Sequence, residues 1–312
     1  MAHSMTLSPT AASRPGPHFL GIGAQKAGTT WLWTQLKQHS QVWMPHHKEI
    51  HYFSRDVMAP GGGILAESSI LRRLTGSARA HALWRGIANA DLRQSIYARD
   101  WDKLKWSLKF HFQSPSDRWY ESLFAGRGTL LTGEISPSYS MLTDDEVAHI
   151  AKRWPYLKIL LLLRNPIDRA WSQVRFDWTR GMRAEVRDLE EMKAFIDSPA
   201  QELRSDYLRI LDRWGRHFPR EQFFLGFYDE VAQQPAALLE RVQTFLGIEA
   251  QPVRAESLRQ RVNISKEVGM PPGIRVYLTQ KYLSEIAALS ERVGGPVKEW
   301  LAQASSPEVT AS

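Results

Sequence analysis

The sequence predicts an α/β fold: a central parallel sheet of about five strands flanked by helices. Three observations carry this expectation. Short runs rich in Leu, Phe and β-branched residues alternate with stretches whose apolar residues recur at three- and four-residue spacing. The run Ile159 to Leu163 is continuously apolar, as a strand buried on both faces requires. Directly after it, Asn165 supplies an N-cap and Pro166 stands at a first helical position, so strand, turn and helix follow without a linker. With 312 residues, 43% of them apolar and 11% aromatic, the chain can bury a sizeable core, as one large domain or two small ones.

Taken in order, strands are expected at His18 to Gly23, Gln41 to Met44, Thr129 to Gly133, Lys158 to Leu163 and Gln222 to Phe227. Helical spacing fits Thr30 to Gln38, Asp144 to Arg153, Pro166 to about Thr179, Asp188 to Ile196, Ser205 to His217, Pro235 to Leu246 and Gly273 to Arg292. Gly247 stands where a C-terminal cap belongs. Residues 59–106 open on Gly61-Gly62-Gly63 and carry Arg72, Arg73, Arg79, Arg85, Arg93, Arg99, Lys103 and Lys105, which reads as a basic, partly helical insertion. Residues 1–17 and 304–312 read as flexible tails around a domain spanning 18–303.

Forty Lys and Arg against thirty-three Asp and Glu leave a net charge of +7, which suits a polyanionic small ligand. No nucleic-acid signature accompanies it, and Asp91, Asp100 and Asp102 interrupt the basic tract, so nucleic acid is not an expected partner. The absence of cysteine excludes disulfides, thiolate metal sites and a Cys nucleophile. An apolar run of five residues cannot span a bilayer, which needs about 20. Met1 to Pro17 has neither a basic nor an apolar signal region, so a cytoplasmic location is expected.

Two segments carry the chemistry. Gly21-Ile22-Gly23-Ala24-Gln25-Lys26-Ala27-Gly28-Thr29-Thr30-Trp31 joins the first strand to a helix. Such a turn aims backbone N–H groups and a positive helix end at an anion, while Lys26 adds a charge and the threonines add donors. It is not a Walker A loop, because Lys26 precedes Gly28 by two residues instead of following a glycine. The second, Leu161-Leu162-Leu163-Arg164-Asn165-Pro166-Ile167-Asp168-Arg169-Ala170-Trp171-Ser172, puts a guanidinium at the carboxyl end of a strand, where α/β ligands bind.

Lys-x-Gly-Thr-Thr-Trp resembles the 5′-phosphosulfate loop of sulfotransferases that use 3′-phosphoadenosine 5′-phosphosulfate (PAPS), and the second segment resembles that family's 3′-phosphate motif. The resemblance runs from about Phe19 to Leu301 and includes Tyr207 to Leu211, Trp214, Phe218-Pro219-Arg220-Glu221-Gln222, Tyr228-Asp229-Glu230 and Phe245-Leu246-Gly247. It implies one domain of the P-loop-NTPase-like sulfotransferase fold, PAPS as donor, 3′,5′-adenosine bisphosphate (PAP) as product, and no metal. By the same resemblance Lys26, Ala27, Gly28, Thr29 and Thr30 hold the 5′ side, Trp31 touches adenine, and Arg164 and Ser172 grip the 3′-phosphate. Tyr228 is a weaker adenine candidate, and Arg261 and Lys266, beside Val262-Asn263-Ile264-Ser265, are candidates for phosphate contact.

His46-His47-Lys48-Glu49-Ile50-His51-Tyr52-Phe53 resembles the K-E-x-H-[FY]-F segment of the carbohydrate, heparan-sulfate-like and bacterial branch, whose glutamate is the catalytic base. Glu49 takes that role by resemblance, with Lys26 at the leaving phosphate; His51 as base, or as the group orienting Glu49, stays open. His46, His47 and His51 with Glu49 do not form H-E-x-x-H, so no metal is expected among them.

Gly133-Glu134-Ile135-Ser136-Pro137-Ser138-Tyr139 resembles the family's G-E-K-[ST]-P-x-Y element, with Ile135 where carbohydrate relatives often carry lysine. That departure takes one positive group from the expected cleft and weighs against a heparan-like polyanion. Lys48, Glu134, Ser136 and Tyr139 are acceptor-side candidates, with structural support an equal reading for Glu134 and Ser136. The expected acceptor bears a hydroxyl or amine, an acidic saccharide being one option and a phenol or lipid-like group another. An ATP-dependent small-molecule kinase and a noncatalytic polyanion binder are the other classes considered. The first lacks a Walker loop and a magnesium-binding aspartate, and the second leaves both phosphate motifs unexplained.

Overall fold

The computed structural model describes residues 14–54, 69–179, 188–251 and 268–306. Five parallel strands, β1 (Phe19–Gly23), β2 (Val42–Trp43), β3 (Leu131–Ile135), β4 (Lys158–Leu163) and β5 (Phe223–Phe227), form one sheet in the order β2-β3-β1-β4-β5. The central strands β1 and β4 are buried almost throughout, and Ile159 to Leu163 are at most 1% exposed. The continuous apolar run therefore meets helices on both faces, as a parallel sheet demands.

Helices α1 (Thr29–Lys37), α2 (Ile70–Thr75), α3 (Arg79–Tyr97), α4 (Trp101–Phe112) and α5 (Asp117–Ser122) lie between β1 and β3 in sequence. After β3 come α6 (Asp144–Arg153), then α7 (Pro166–Thr179), α8 (Leu189–Ile196), α9 (Pro199–Ser205) and α10 (Tyr207–His217) around β4. The chain closes with α11 (Tyr228–Gln233), α12 (Pro235–Leu246), α13 (Pro272–Val293) and α14 (Pro296–Ala304). None of the described helices is long and apolar enough to cross a membrane.

Local chemistry explains where the elements begin and end. The Asn165 side chain accepts the Ile167 N–H at 3.0 Å, capping α7 as expected. Gly247, at φ +77°, ends α12 in the left-handed conformation. The helix expected from Ser205 to His217 is α10 and starts two residues later: Asp206 caps it, accepting the Arg209 N–H at 3.0 Å, and Ser205 ends the separate α9. β3 starts and ends two residues later than expected, because Gly133 does not end the strand. A Cβ there would sit 2.4 Å from the Phe19 ring of β1, so the glycine permits close packing inside the sheet. The described part of the basic insertion is helical, and its helices continue to Phe112, six residues beyond the expected boundary at 106.

One packing contact makes stability depend on pH. Glu285, on α13, accepts the N–H of Tyr207 at 3.0 Å at the start of α10, and burial pushes its carboxyl up to about 7. The Tyr207 N–H and Arg169 partly oppose that rise, while Asp206 adds to it. Between an unfolded value near 4.5 and about 7, the folded protein holds a proton that the unfolded chain has released. Stability therefore falls as pH rises through that window, by up to about 3 kcal/mol above it. Glu285→Gln keeps the acceptor and removes the charge. It is expected to raise Tm by several degrees at about pH 8 and to give no gain near about pH 4.5. Melting curves at both pH values check this, and an equal gain at both would contradict the assignment.

Candidate functional site

The carboxyl ends of all five strands lie along one edge of a parallel sheet, and each delivers candidate residues from its following segment: the Lys26 turn, His46 to His51, Ser136 to Tyr139, Arg164 and Tyr228. The connections from β1 and β4 run to opposite sides of the sheet, so these adjacent strands frame the switch-point crevice in which α/β folds bind ligands.

The first turn is fastened to β4 by the Ala24 N–H, which donates to Leu162 O at 2.7 Å. Gly28 precedes α1 at φ +88°, and a Cβ on it would come within 3.2 Å of Val231 and 3.3 Å of Tyr228. Lys26 is left-handed at φ +68°, and His51 at φ +57°; with Arg99 they are the non-glycine residues of positive φ among those described. Strained backbone at Lys26 and His51, on the one edge where the strands end, is what a functional site leads one to expect. The Lys26 ammonium stands 3.8 Å from the centre of the Phe176 ring on α7. Phe176 was not singled out in the sequence, although it lies four residues beyond Ser172 on the same helix.

Arg164 joins the two anion motifs. Its Nη1 donates to Lys26 O at 3.0 Å, and its guanidinium lies 4.3 Å over the Tyr228 ring. Tyr207 Oη donates to Arg164 O at 2.8 Å and fixes the strand end. Burial lowers the guanidinium's pKa, and its Nε is buried without a hydrogen-bond partner among the described residues. A charged donor left over beside a glycine-shaped turn fits an anionic ligand. Ser172 is 6% exposed, two turns along α7. Thr29 and Ala27 are also buried, and Trp31 belongs to the core cluster at 5% exposure, which leaves little of its ring for an adenine to touch.

In the segment after β2, Glu49 Oε1 accepts from Lys48 Nζ at 2.5 Å, and its Oε2 lies 3.2 Å from His51 Nε2. Burial pushes this carboxyl up, but the His51 and Lys48 contacts outweigh it and hold it at about 2, so Glu49 is ionised. The other face of the imidazole is engaged as well: His51 Nδ1 is 3.0 Å from Ser138 Oγ and 3.3 Å from Ser54 Oγ. His51 thus bridges Glu49 to a buried serine pair, whose hydroxyls are 2.7 Å apart.

The acceptor-side candidates Glu134, Ser136 and Tyr139 lie in the interior. All three are 0% exposed. Glu134 Oε1 accepts from Tyr120 Oη at 2.5 Å and Tyr139 Oη at 2.8 Å; its Oε2 accepts from Ser136 Oγ at 2.7 Å and the Ile50 N–H at 3.2 Å. Tyr139 Oη in turn accepts the Tyr52 N–H at 3.0 Å. Burial raises the Glu134 pKa, and four donors satisfy the group. This network holds the backbone on both sides of His51 and so sets where Glu49 and His51 stand. Ile135 is likewise 0% exposed, so its difference from lysine changes the packed interior.

Arg261 and Lys266 lie outside the described residues. The histidines do not gather around Glu49 as a group. His46 Nε2 is 3.9 Å from Asp102, and His47 turns to Asp91 and His111, two residues that sequence spacing did not connect to it.

By its family the chain is a transferase enzyme. Residues 17–252 match the family model described as the sulfotransferase family, and the chain belongs to that family. Among curated relatives, mouse heparan sulfate glucosamine 3-O-sulfotransferase 3B1 is 29% identical over 139 residues, 42% of this chain and 35% of that protein. Human heparan sulfate glucosamine 3-O-sulfotransferase 6 is 30% identical over 142 residues, 42% of this chain and 39% of the relative. The matched region thus spans little more than a third of the length of these proteins. A solved sulfotransferase from Alicyclobacillus acidocaldarius shares the fold with a TM-score of 0.61 at 24% identity, over 91% of this chain and 98% of that one. The sulfotransferase domain from the curacin biosynthetic pathway does so at 0.51 and 16%, over 82% of each chain.

Proposed function

We propose that the chain transfers the sulfuryl group of PAPS to a hydroxyl of a saccharide or glycoconjugate. The observation that carries the donor assignment is Arg164: a guanidinium at the end of β4, bonded to the Lys26 carbonyl, stacked on Tyr228 and left with an unpartnered Nε. A nucleotide with phosphate at both ends of its ribose suits two cradles joined by one residue. The saccharide assignment draws on the names of the curated relatives and on the carboxylate–lysine–histidine segment after β2.

In this reading the acceptor hydroxyl attacks sulfur as its proton passes to Glu49, and the bond from sulfur to the 5′-phosphate oxygen breaks. A sulfate ester and PAP leave. His51 orients Glu49, and Lys26 stabilises charge on the departing phosphate. No metal enters these steps, which need one base, one cation and two anion sites.

The test is calorimetric binding of PAP against ATP with magnesium, followed by labelled-sulfate transfer from PAPS to a panel of saccharides, phenols and lipid head groups. PAP is expected to bind more tightly, and saccharides to accept the label. Preference for ATP with magnesium would overturn the donor, and label on phenols or lipids alone would overturn the acceptor.

A further inference from the structure

His47, Asp91 and His111 come from three separate segments and meet at one carboxylate oxygen. His47 Nε2 and His111 Nε2 each lie 2.7 Å from Asp91 Oδ2, and the three atoms are all within 4.8 Å of one another. Asp91 is on α3 and His111 on α4, whereas His47 belongs to the segment that carries Glu49 two residues later.

We propose that His47, Asp91 and His111 form a binding site for a divalent metal ion of the zinc class. Two imidazole nitrogens and one carboxylate oxygen are a zinc donor set that needs no cysteine, and a solvent molecule completes the coordination. Bonds of about 2.1 Å require donor atoms roughly 3–3.5 Å apart. The Asp91 oxygen must draw back from each imidazole by somewhat more than about half an ångström, and the two imidazole nitrogens, within 4.8 Å of each other, must settle at about the same 3–3.5 Å. The ligands are also held. The His47 ring stacks on Phe110 at 4.9 Å, and Arg73 Nη1 donates to the His111 carbonyl at 3.2 Å. His47 and Asp91 retain 26% and 16% of their side-chain exposure, which gives an ion a way in, whereas His111 is fully buried.

Hydrogen bonding alone accounts less well for His111. With its proton on Nε2, facing Asp91, the ring leaves Nδ1 buried and without a hydrogen-bond partner among the described residues. A metal on Nε2 moves the proton to Nδ1, and the rings of His111 and Trp84 stand T-shaped at 6.0 Å, an arrangement in which an N–H can meet a π face. The ion would clamp α3 and α4 to the backbone leading into Glu49. The site stands independently of the donor and acceptor proposed above.

The test uses the full chain, stripped with a chelator, dialysed and titrated with zinc chloride by calorimetry, with cobalt(II) as a spectroscopic substitute. One tight equivalent per chain is expected, with visible cobalt bands of a low-coordinate nitrogen–oxygen site. A hundredfold excess of zinc over Kd should raise Tm by about 5 °C. Asp91→Asn and the partly exposed His47→Gln, which each remove a ligand, should weaken binding by at least about a hundredfold and cut the Tm shift at the same zinc concentration to about 1 °C or less. Near-UV circular dichroism of His47→Gln checks that its fold is intact. Failure of the unaltered protein to bind a tight equivalent would overturn the site and leave a hydrogen-bonded triad, as would equal binding by both variants.

Discussion

Glu49→Gln is expected to lower sulfate transfer by about 10²–10⁴-fold while leaving PAP binding nearly unchanged. The substitution preserves the shape of the side chain and an acceptor oxygen for Lys48 or His51, but it removes the group that can take the acceptor's proton. Both oxygens of Glu49 already receive a partner, Lys48 at 2.5 Å and His51 at 3.2 Å, so the carboxylate is oriented before any substrate arrives. His51 is the rival base. Its Nε2 faces Glu49 and its Nδ1 faces Ser138 and Ser54, so it must break a contact to accept a proton from a substrate. His51→Gln is therefore expected to cost less than Glu49→Gln. Single-turnover transfer by both variants, with PAP affinity measured alongside, decides between them: a larger loss at His51 would make the imidazole the base.

What could be read from the sequence was whatever local geometry dictates. The Lys26 turn and the Arg164 strand end were visible because each is a short contiguous segment whose strand-to-helix junction fixes where its residues point. Their convergence at the β1/β4 crevice follows once both strands are recognised as parallel neighbours. Glu134 shows the opposite case. A carboxylate in a resembling motif reads equally as an acceptor-side group or as support, and only the tertiary packing shows the donors, Tyr120 Oη and the Ile50 N–H, that hold it in the interior. His47 is similar: its neighbours in sequence gave it no partner, and the two it has lie 44 and 64 positions away on helices of the insertion. The β3 boundary failed for a packing reason, since glycine reads as a strand end unless Phe19 is known to lie across from it. The helix expected from Ser205 held to His217 and lost only its first two residues, because Asp206 caps it.

These distinctions bear on Lys26, whose side chain and backbone do different things. Its carbonyl accepts from Arg164 and ties the two anion cradles together, while its ammonium lies over the Phe176 ring. Lys26→Ala leaves the carbonyl in place and removes the ammonium with its aliphatic stem and its contact with the Phe176 ring. PAP should therefore still bind, with a modest loss, because Arg164, the α1 N-terminus and Tyr228 remain. Transfer should fall by about 10²–10³-fold, the usual cost of losing one preorganised group at a developing negative charge, equivalent to about 3–4 kcal/mol of transition-state stabilisation. Phe176→Leu provides the comparison. It removes a cation–π contact worth roughly 0.5–2 kcal/mol but keeps the ammonium, so its effect on turnover should be much smaller. Measuring kcat for transfer alongside Kd for PAP separates the two roles. If Lys26→Ala instead weakened PAP binding as much as it slowed transfer, the ammonium would be a ground-state phosphate anchor, and stabilisation of the leaving group would have to come from Arg164 or the backbone N–H groups of the turn.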